Sequence, residues 1–316
     1  MIPFLDLILF FLFLAIAIKG ADYSIKHSTK IARVLKFPEF IVSFFIIAII
    51  SVLPEAIISI ISAFEGVPEL GLGTLLGSNV ADLTLVFGIV ALFSKTGIQV
   101  KSKILQNNMF YLILLLFPLI LGLDGKFSRI DGAVLVLLGL IFFARIYHQS
   151  HKFSKKLYKE KRSNILKEII FLILSLNLLL IGAYFTVEYA TSFAEKTNLP
   201  QVIIGITIIA FGTCLPELIF SIKAVKKNHD ELALGDVLGT VITDATIILG
   251  LVALISPFSY AVHNIYTLGG AMFISGLFVV IFMRSDKTIK KGEGVILILA
   301  YILFVILQFF ISKIYH

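Results

Sequence analysis

Cysteine is almost absent from this chain of 316 residues. A single one, Cys214, excludes an intrachain disulfide and any cysteine metal cluster. Tryptophan is missing altogether, and charged residues make up only 15%. No histidine and cysteine pairing has the spacing of a zinc site. What fills the space is apolar: 59% of residues are hydrophobic and the mean hydropathy is +1.02. Soluble globular domains are not that apolar, and they do not carry apolar runs long enough to cross a hydrocarbon core of about 30 Å. The composition therefore defines a polytopic, all-α membrane protein.

Ten apolar segments are predicted, at about 3–19, 38–64, 70–94, 108–123, 130–147, 167–190, 199–223, 232–256, 262–283 and 293–312. The first follows Met1 without a basic leader and reads as a retained span rather than a signal peptide. The net charge of +7 could point to nucleic acid, but its distribution points elsewhere. Of 27 Lys and Arg, 23 fall in loops that follow an odd-numbered span, and only Lys126, Arg129, Lys196 and Lys313 fall on the other side. The positive-inside rule then places odd loops in the cytoplasm and both termini outside. A basic cytoplasmic linker, 148–166, separates a first five-span unit, 1–147, from a second, 167–316.

The two units are related. Shifted by 162 residues, "SVLPEAIISI" at 51–60 falls on "TCLPELIFSI" at 213–222, and "LGLGTLLGSNVADLTLVFGIVALFS" at 70–94 falls on "LALGDVLGTVITDATIILGLVALIS" at 232–256. From 51 to 94, 19 of 44 positions are identical without a gap. Compositional bias aligns Leu with Ile; it does not align Pro54 with Pro216, Glu55 with Glu217, or Asp82 with Asp244. Because five spans is an odd number, the second unit enters the membrane from the opposite side. Inverted repeats of this kind belong to alternating-access transporters, whose substrates bind at the midplane where helices are interrupted.

Proline removes a backbone donor and frees carbonyls near residues 50–53 and 212–215, and a freed carbonyl in a membrane needs a partner. The glutamate beside each proline adds a charge and two oxygens. Glu55, Asp82, Glu217 and Asp244 are the mid-membrane acids. Asp6 and Glu188 lie nearer span ends, and Asp236 near the cytoplasmic start of its span. No Lys or Arg lies at matching depth, so cations or protons must balance the acids. Hydroxyls accompany them at Ser51, Thr213, Ser78, Thr240, Thr84 and Thr246. Oxygen-only ligands select Ca²⁺, Na⁺, Mg²⁺ or Mn²⁺ over zinc or copper.

At these residues the chain resembles the cation/calcium exchanger superfamily, in particular prokaryotic sodium/calcium exchanger membrane proteins. Its two elements read here "SVLPE" with "GSNVAD", and "GTCLPE" with "GTVITD". The resemblance implies ten helices, an ion-binding core from spans 2, 3, 7 and 8, and spans 1 and 6 sliding against it. It also implies a metal site with Glu55 and Glu217 as central Ca²⁺ ligands. Ser51 and Thr213 would contribute one turn earlier, Ser78 and Thr240 from the second element, and Asp82 and Asp244 would form the remaining polar corners. Val52 and Cys214 stand where sodium-coupled members usually carry serine, Ile50 replaces a glycine, and Asp82 stands where many have asparagine.

Four clustered carboxylates cannot all be ionised in an empty site, so at least one holds a proton. The expectation is a non-enzymatic antiporter of the cell membrane that exchanges Ca²⁺ for Na⁺ or H⁺. Mn²⁺ or Mg²⁺ is an alternative cargo and a cation channel the alternative class. No prosthetic group, catalytic residue or nucleic-acid partner is expected; the bilayer surrounds a monomer.

Overall fold

In the computed structural model, residues 3–34, 48–100, 110–150, 164–197 and 201–315 are described. The described residues are almost entirely helical, as a backbone in hydrocarbon must be to satisfy its own N–H and C=O groups. In chain order the helices are α1 Pro3–Val34, α2 Leu53–Phe64, α3 Pro68–Phe93, α4 Phe110–Leu121, α5 Arg129–Ser150 and α6 Ile165–Thr197. They continue with α7 Gly205–Thr213, α8 Leu215–Lys226, α9 Asp230–Ile255, α10 Val262–Ser285 and α11 Lys291–Tyr315. A single helical turn, Ala48–Ser51, precedes α2.

Six of these helices are long and apolar enough to cross a membrane, or seven when α7 and α8 count as one span bent by 44°. The second predicted segment, 38–64, falls partly on residues outside the described set; within it α2 has 12 residues. The helices α1 and α6 continue beyond the predicted apolar ends at 19 and 190. α1 runs for 32 residues and α6 for 33, roughly 50 Å each at about 1.5 Å per residue. Hydropathy marks where the oil ends, but nothing in "KGADYSIKHSTKIARV" stops a helix, and the overhang is held by its partner helix.

α3 and α9 form the centre. Within their apolar windows 83% and 78% of residues are buried, against 25% for α6 and 28% for α11. Their sequences explain this, since Gly, Ser, Thr and Ala let neighbouring backbones approach closely. The outer helices turn Leu, Ile and Phe outward, for example Leu174, Leu299 and Phe310, a surface suited to apolar surroundings.

Several close helix contacts come in pairs 162 residues apart. A Cβ on Gly20 of α1 would lie 2.5 Å from the backbone nitrogen of Leu179 on α6, and one on Gly182 would lie 2.5 Å from that of Ala17. Positions 17 and 20 are the repeat equivalents of 179 and 182. Likewise Gly88 of α3 meets Gly294 of α11, and Gly250 of α9 meets Gly132 of α5.

Two antiparallel ribbons follow the same exchange. β1 Ile98–Gln99 pairs with β4 Thr288–Ile289, and β2 Lys126–Phe127 pairs with β3 Phe258–Ser259. The loops are pinned in parallel fashion: the Gln99 amide donates to Asp230 Oδ2, and the Ala261 amide to Glu69 Oε1, both at 3.0 Å. Each unit is thus completed by the other.

Candidate ion site

Both Pro-Glu elements break the helix where the sequence predicts. Val52 and Cys214 sit between helical segments with nearly the same backbone angles, φ −72° and ψ −11° against φ −75° and ψ −5°. Neither break is an unwound stretch, since Val52 N still reaches Ala48 O and Cys214 N still reaches Ala210 O, each at 3.1 Å, and the second is a bend of 44°. Pro54 and Pro216, at the second position of α2 and α8, bring no N–H to the carbonyls of Ile50 and Gly212.

Glu55 and Glu217 lie in the first turn after each break. Both are fully buried, and none of their four carboxylate oxygens has a hydrogen-bond partner. Across from them, α3 and α9 each contain a π-helical turn, Asp82–Val86 and Thr243–Ile248. Such a turn inserts a residue and re-aims side chains, and it is common at functional sites. Asp82 opens the first turn with both oxygens unpartnered; Asp244 is second in the other, with Oδ1 unpartnered.

The hydroxyls stitch the units together. Ser51 Oγ lies 3.1 Å from Thr240 Oγ1, and Ser78 Oγ donates to Asp244 Oδ2 at 3.4 Å. Thr213 Oγ1 donates back to the carbonyls of Ile209 and Ala210, at 3.1 and 3.2 Å. Thr84 and Thr246 donate to carbonyls one turn back, Val80 and Ile242, as ordinary helix hydroxyls do. The Cys214 thiol donates to Ser78 O at 3.5 Å. All eight nominated residues are buried, and Ser51, Thr240, Ser78 and Asp244 are joined across the two units.

One acid escaped the sequence reading. Asp236 is not merely near a span end: it is fully buried on α9, accepts from Ser51 Oγ at 3.5 Å through Oδ1, and leaves Oδ2 unpartnered. With Thr240 and Asp244 it makes an oxygen ladder at four-residue spacing on one face of α9. That spacing was visible in the sequence. The repeat comparison passed over Asp236 because its equivalent is Thr74, not an acid. Ser221, fully buried with its hydroxyl unpartnered, was missed as well, although its equivalent is Ser59.

The sum is five buried carboxylates with eight unpartnered oxygens. Among the described residues no buried Lys or Arg faces them, and no three Asp, Glu, His or Cys side chains close around a single point as a metal cage would. A small apolar crevice, lined by Leu14, Ala17, Pro54, Thr186, Gly212 and Thr213, lies between the α1–α6 pair and both breaks.

An all-helical membrane protein with broken central helices and buried, uncompensated acids belongs to the class of multi-pass cation transporters. Comparison with known proteins gives the family: the sodium/calcium exchanger protein family matches residues 5–147 and 167–310, and the chain belongs to it. It is 29% identical to sodium/calcium exchanger MaX1 of Methanosarcina acetivorans over 98% of this chain and 99% of that one. It is 30% identical to the putative antiporter CaxA of Alkalimonas amylolytica, over 92% and 94% respectively. Solved structures of the sodium-calcium exchanger NCX_Mj, soaked with Na⁺ and Sr²⁺, superpose with a TM-score of 0.72 at 28% identity, covering 96% of this chain and 98% of that one.

Proposed function

We propose that the protein is a secondary antiporter that exchanges Ca²⁺ for Na⁺ or H⁺ by alternating access, through one midplane site shared by both units. The observation that carries the reading is the set of eight unpartnered carboxylate oxygens with no buried Lys or Arg among the described residues. Burying such charge without a partner costs several kcal/mol per group. A hard divalent cation offsets that cost, and a site that must always hold some cation exchanges one kind for another. Glu55 and Glu217 are the central ligands. Asp82, Asp244, Ser51, Ser78, Thr213 and Thr240 complete the first set, and Asp236 extends it along α9.

Pairwise exchange of contacts under the 162-residue offset supports two inverted five-span units, with the α7–α8 bend and the α2 break as the interrupted spans. H⁺ coupling is favoured by one specific feature: two ionised carboxylates neutralise one Ca²⁺, and three further acids are buried with them. Some of these must carry protons when Ca²⁺ alone is bound.

Ca²⁺ uptake into proteoliposomes, with Na⁺ and pH gradients imposed separately, tests the reading. At least one of the two gradients, imposed alone, is expected to drive ⁴⁵Ca²⁺ against its concentration. Flux that only follows the Ca²⁺ gradient, with unitary currents in planar bilayers, would establish a channel instead.

The distribution of Lys and Arg supports cytoplasmic odd loops and outward termini. Cysteines introduced at 148–166 are expected to react with impermeant reagents only from the cytoplasm, and those near residue 313 only from outside. Labelling of the 148–166 loop in intact cells would overturn this orientation.

A further inference from the structure

α1 and α6 are tied at both ends by a buried acid, and the two acids, Asp6 and Glu168, are equivalents under the 162-residue offset. At one end Asp6, 1% exposed, accepts from Lys196 Nζ and from Ser192 Oγ of α6. At the other, Glu168, 6% exposed, accepts from Lys30 Nζ at 3.1 Å. Lys30 is the equivalent of Ser192, so the clamps occupy matching places. Between them the Ser24 hydroxyl donates to Ser175 Oγ at 2.9 Å, and the helices cross at Gly20 and Gly182.

The clamps differ in one chemical respect. His27 Nδ1 lies 2.5 Å from Glu168 Oε2, and its ring stacks on Phe171 with centroids 5.1 Å apart. The equivalent of His27 at the Asp6 end is Tyr189. Histidine changes charge between about pH 5 and 8, and lysine and tyrosine do not. Among the described residues, the other charged groups on these stretches are Lys30 on Glu168, Lys26 over Tyr23 on α1, Lys167 over Phe171 on α6, and the Asp22–Lys223 pair that joins α1 to α8 at 3.4 Å. Glu168 is the acid in contact with the imidazole.

From this asymmetry we infer that the Glu168 clamp is a one-ended pH-sensitive latch on the α1–α6 pair. With His27 protonated, Glu168 is held by two cations from α1 and the ends are drawn together. With His27 neutral, Lys30 alone remains as a cation on Glu168, and the ends loosen. The Asp6–Lys196 clamp contains no histidine. The latched pair lines the crevice against Pro54 and Thr213, so its stiffness acts on the broken helices without touching the carboxylates. By the proposed topology the latch reads cytoplasmic pH; the latch itself rests on the α1–α6 contact, not on the ion exchanged.

Distance measurements between spin labels separate the two. Labels at Lys26→Cys with Leu166→Cys report the latched end, and labels at Leu5→Cys with Glu188→Cys the other; these positions are exposed and Cys214 is buried. Between pH 5.5 and 8.5 in lipid nanodiscs, the first distance is expected to lengthen by about 2 Å, the size of helix shifts at interfaces, and the second to stay fixed. In His27→Gln, which keeps a hydrogen-bond donor and cannot ionise, the first distance should no longer move with pH. A latched-end distance constant with pH, or one that moves equally in His27→Gln, would overturn the latch. Because no transport is read, an inactive preparation leaves this result interpretable and bears only on the exchange function.

Discussion

Purified Glu217→Gln protein is expected to lose Ca²⁺ exchange while remaining folded, and Glu55→Gln the same. Each glutamate is fully buried just after a proline break, and both its oxygens are free of protein donors. At an effective dielectric near 20, one unit-charge pair about 4 Å apart is worth roughly 4 kcal/mol. Removing one carboxylate charge from a Ca²⁺ site therefore weakens binding by on the order of 1000-fold or more. The same change removes an uncompensated buried charge, so thermal stability in ion-free buffer should hold steady or rise. Isothermal titration with Ca²⁺ and a melting curve separate the two effects. Near-normal Ca²⁺ affinity in either folded variant would remove that residue from the site. A variant that binds less and also melts early would instead make the glutamate a structural group.

The second large effect concerns the coupling ion. In sodium-free vesicles with membrane potential clamped, an imposed pH gradient is expected to drive Ca²⁺ uptake by the wild type. Asp82→Asn should lose at least about tenfold of that flux, and Asp236→Asn is expected to act in the same direction. Asp82 and Asp236 are buried in excess of what one Ca²⁺ neutralises, and each has an oxygen without a partner. An asparagine keeps the shape but cannot exchange a proton. Sodium-driven uptake supplies the control: if protons move on Asp82, Na⁺-driven flux in Asp82→Asn should fall less than H⁺-driven flux. Equal fluxes in wild type and variants, or a wild type blind to pH, would assign the coupling to Na⁺. Asp82 and Asp236 would then be fixed charges that shape the site.

Much of this site can be read from the sequence because its chemistry is repeated. A translation by 162 residues picks out Glu55 with Glu217 and Asp82 with Asp244, and the paired prolines mark the helix breaks found at Val52 and Cys214. Where the units diverge, translation is blind. Asp236 faces Thr74 in the alignment, so only its burial and its contact with Ser51 reveal it. Asp6 and Glu168 align under the same offset, yet their cations, Lys196 on one side and Lys30 with His27 on the other, are not equivalents of each other.

The sequence by itself determined the helical membrane class, the excess of buried acid, the two related units and the places where helices break. These follow from one-dimensional quantities: hydropathy, charge and the intrinsic inability of proline to donate. The tertiary structure alone decided which residues meet. Ser51 reaches Thr240 and Asp236, Gly88 reaches Gly294, and α1 lies along α6 well past its apolar run. Those contacts depend on how closely two backbones can approach and at what angle helices cross. Both are set by glycine and serine on facing surfaces, which a single chain read end to end does not bring together.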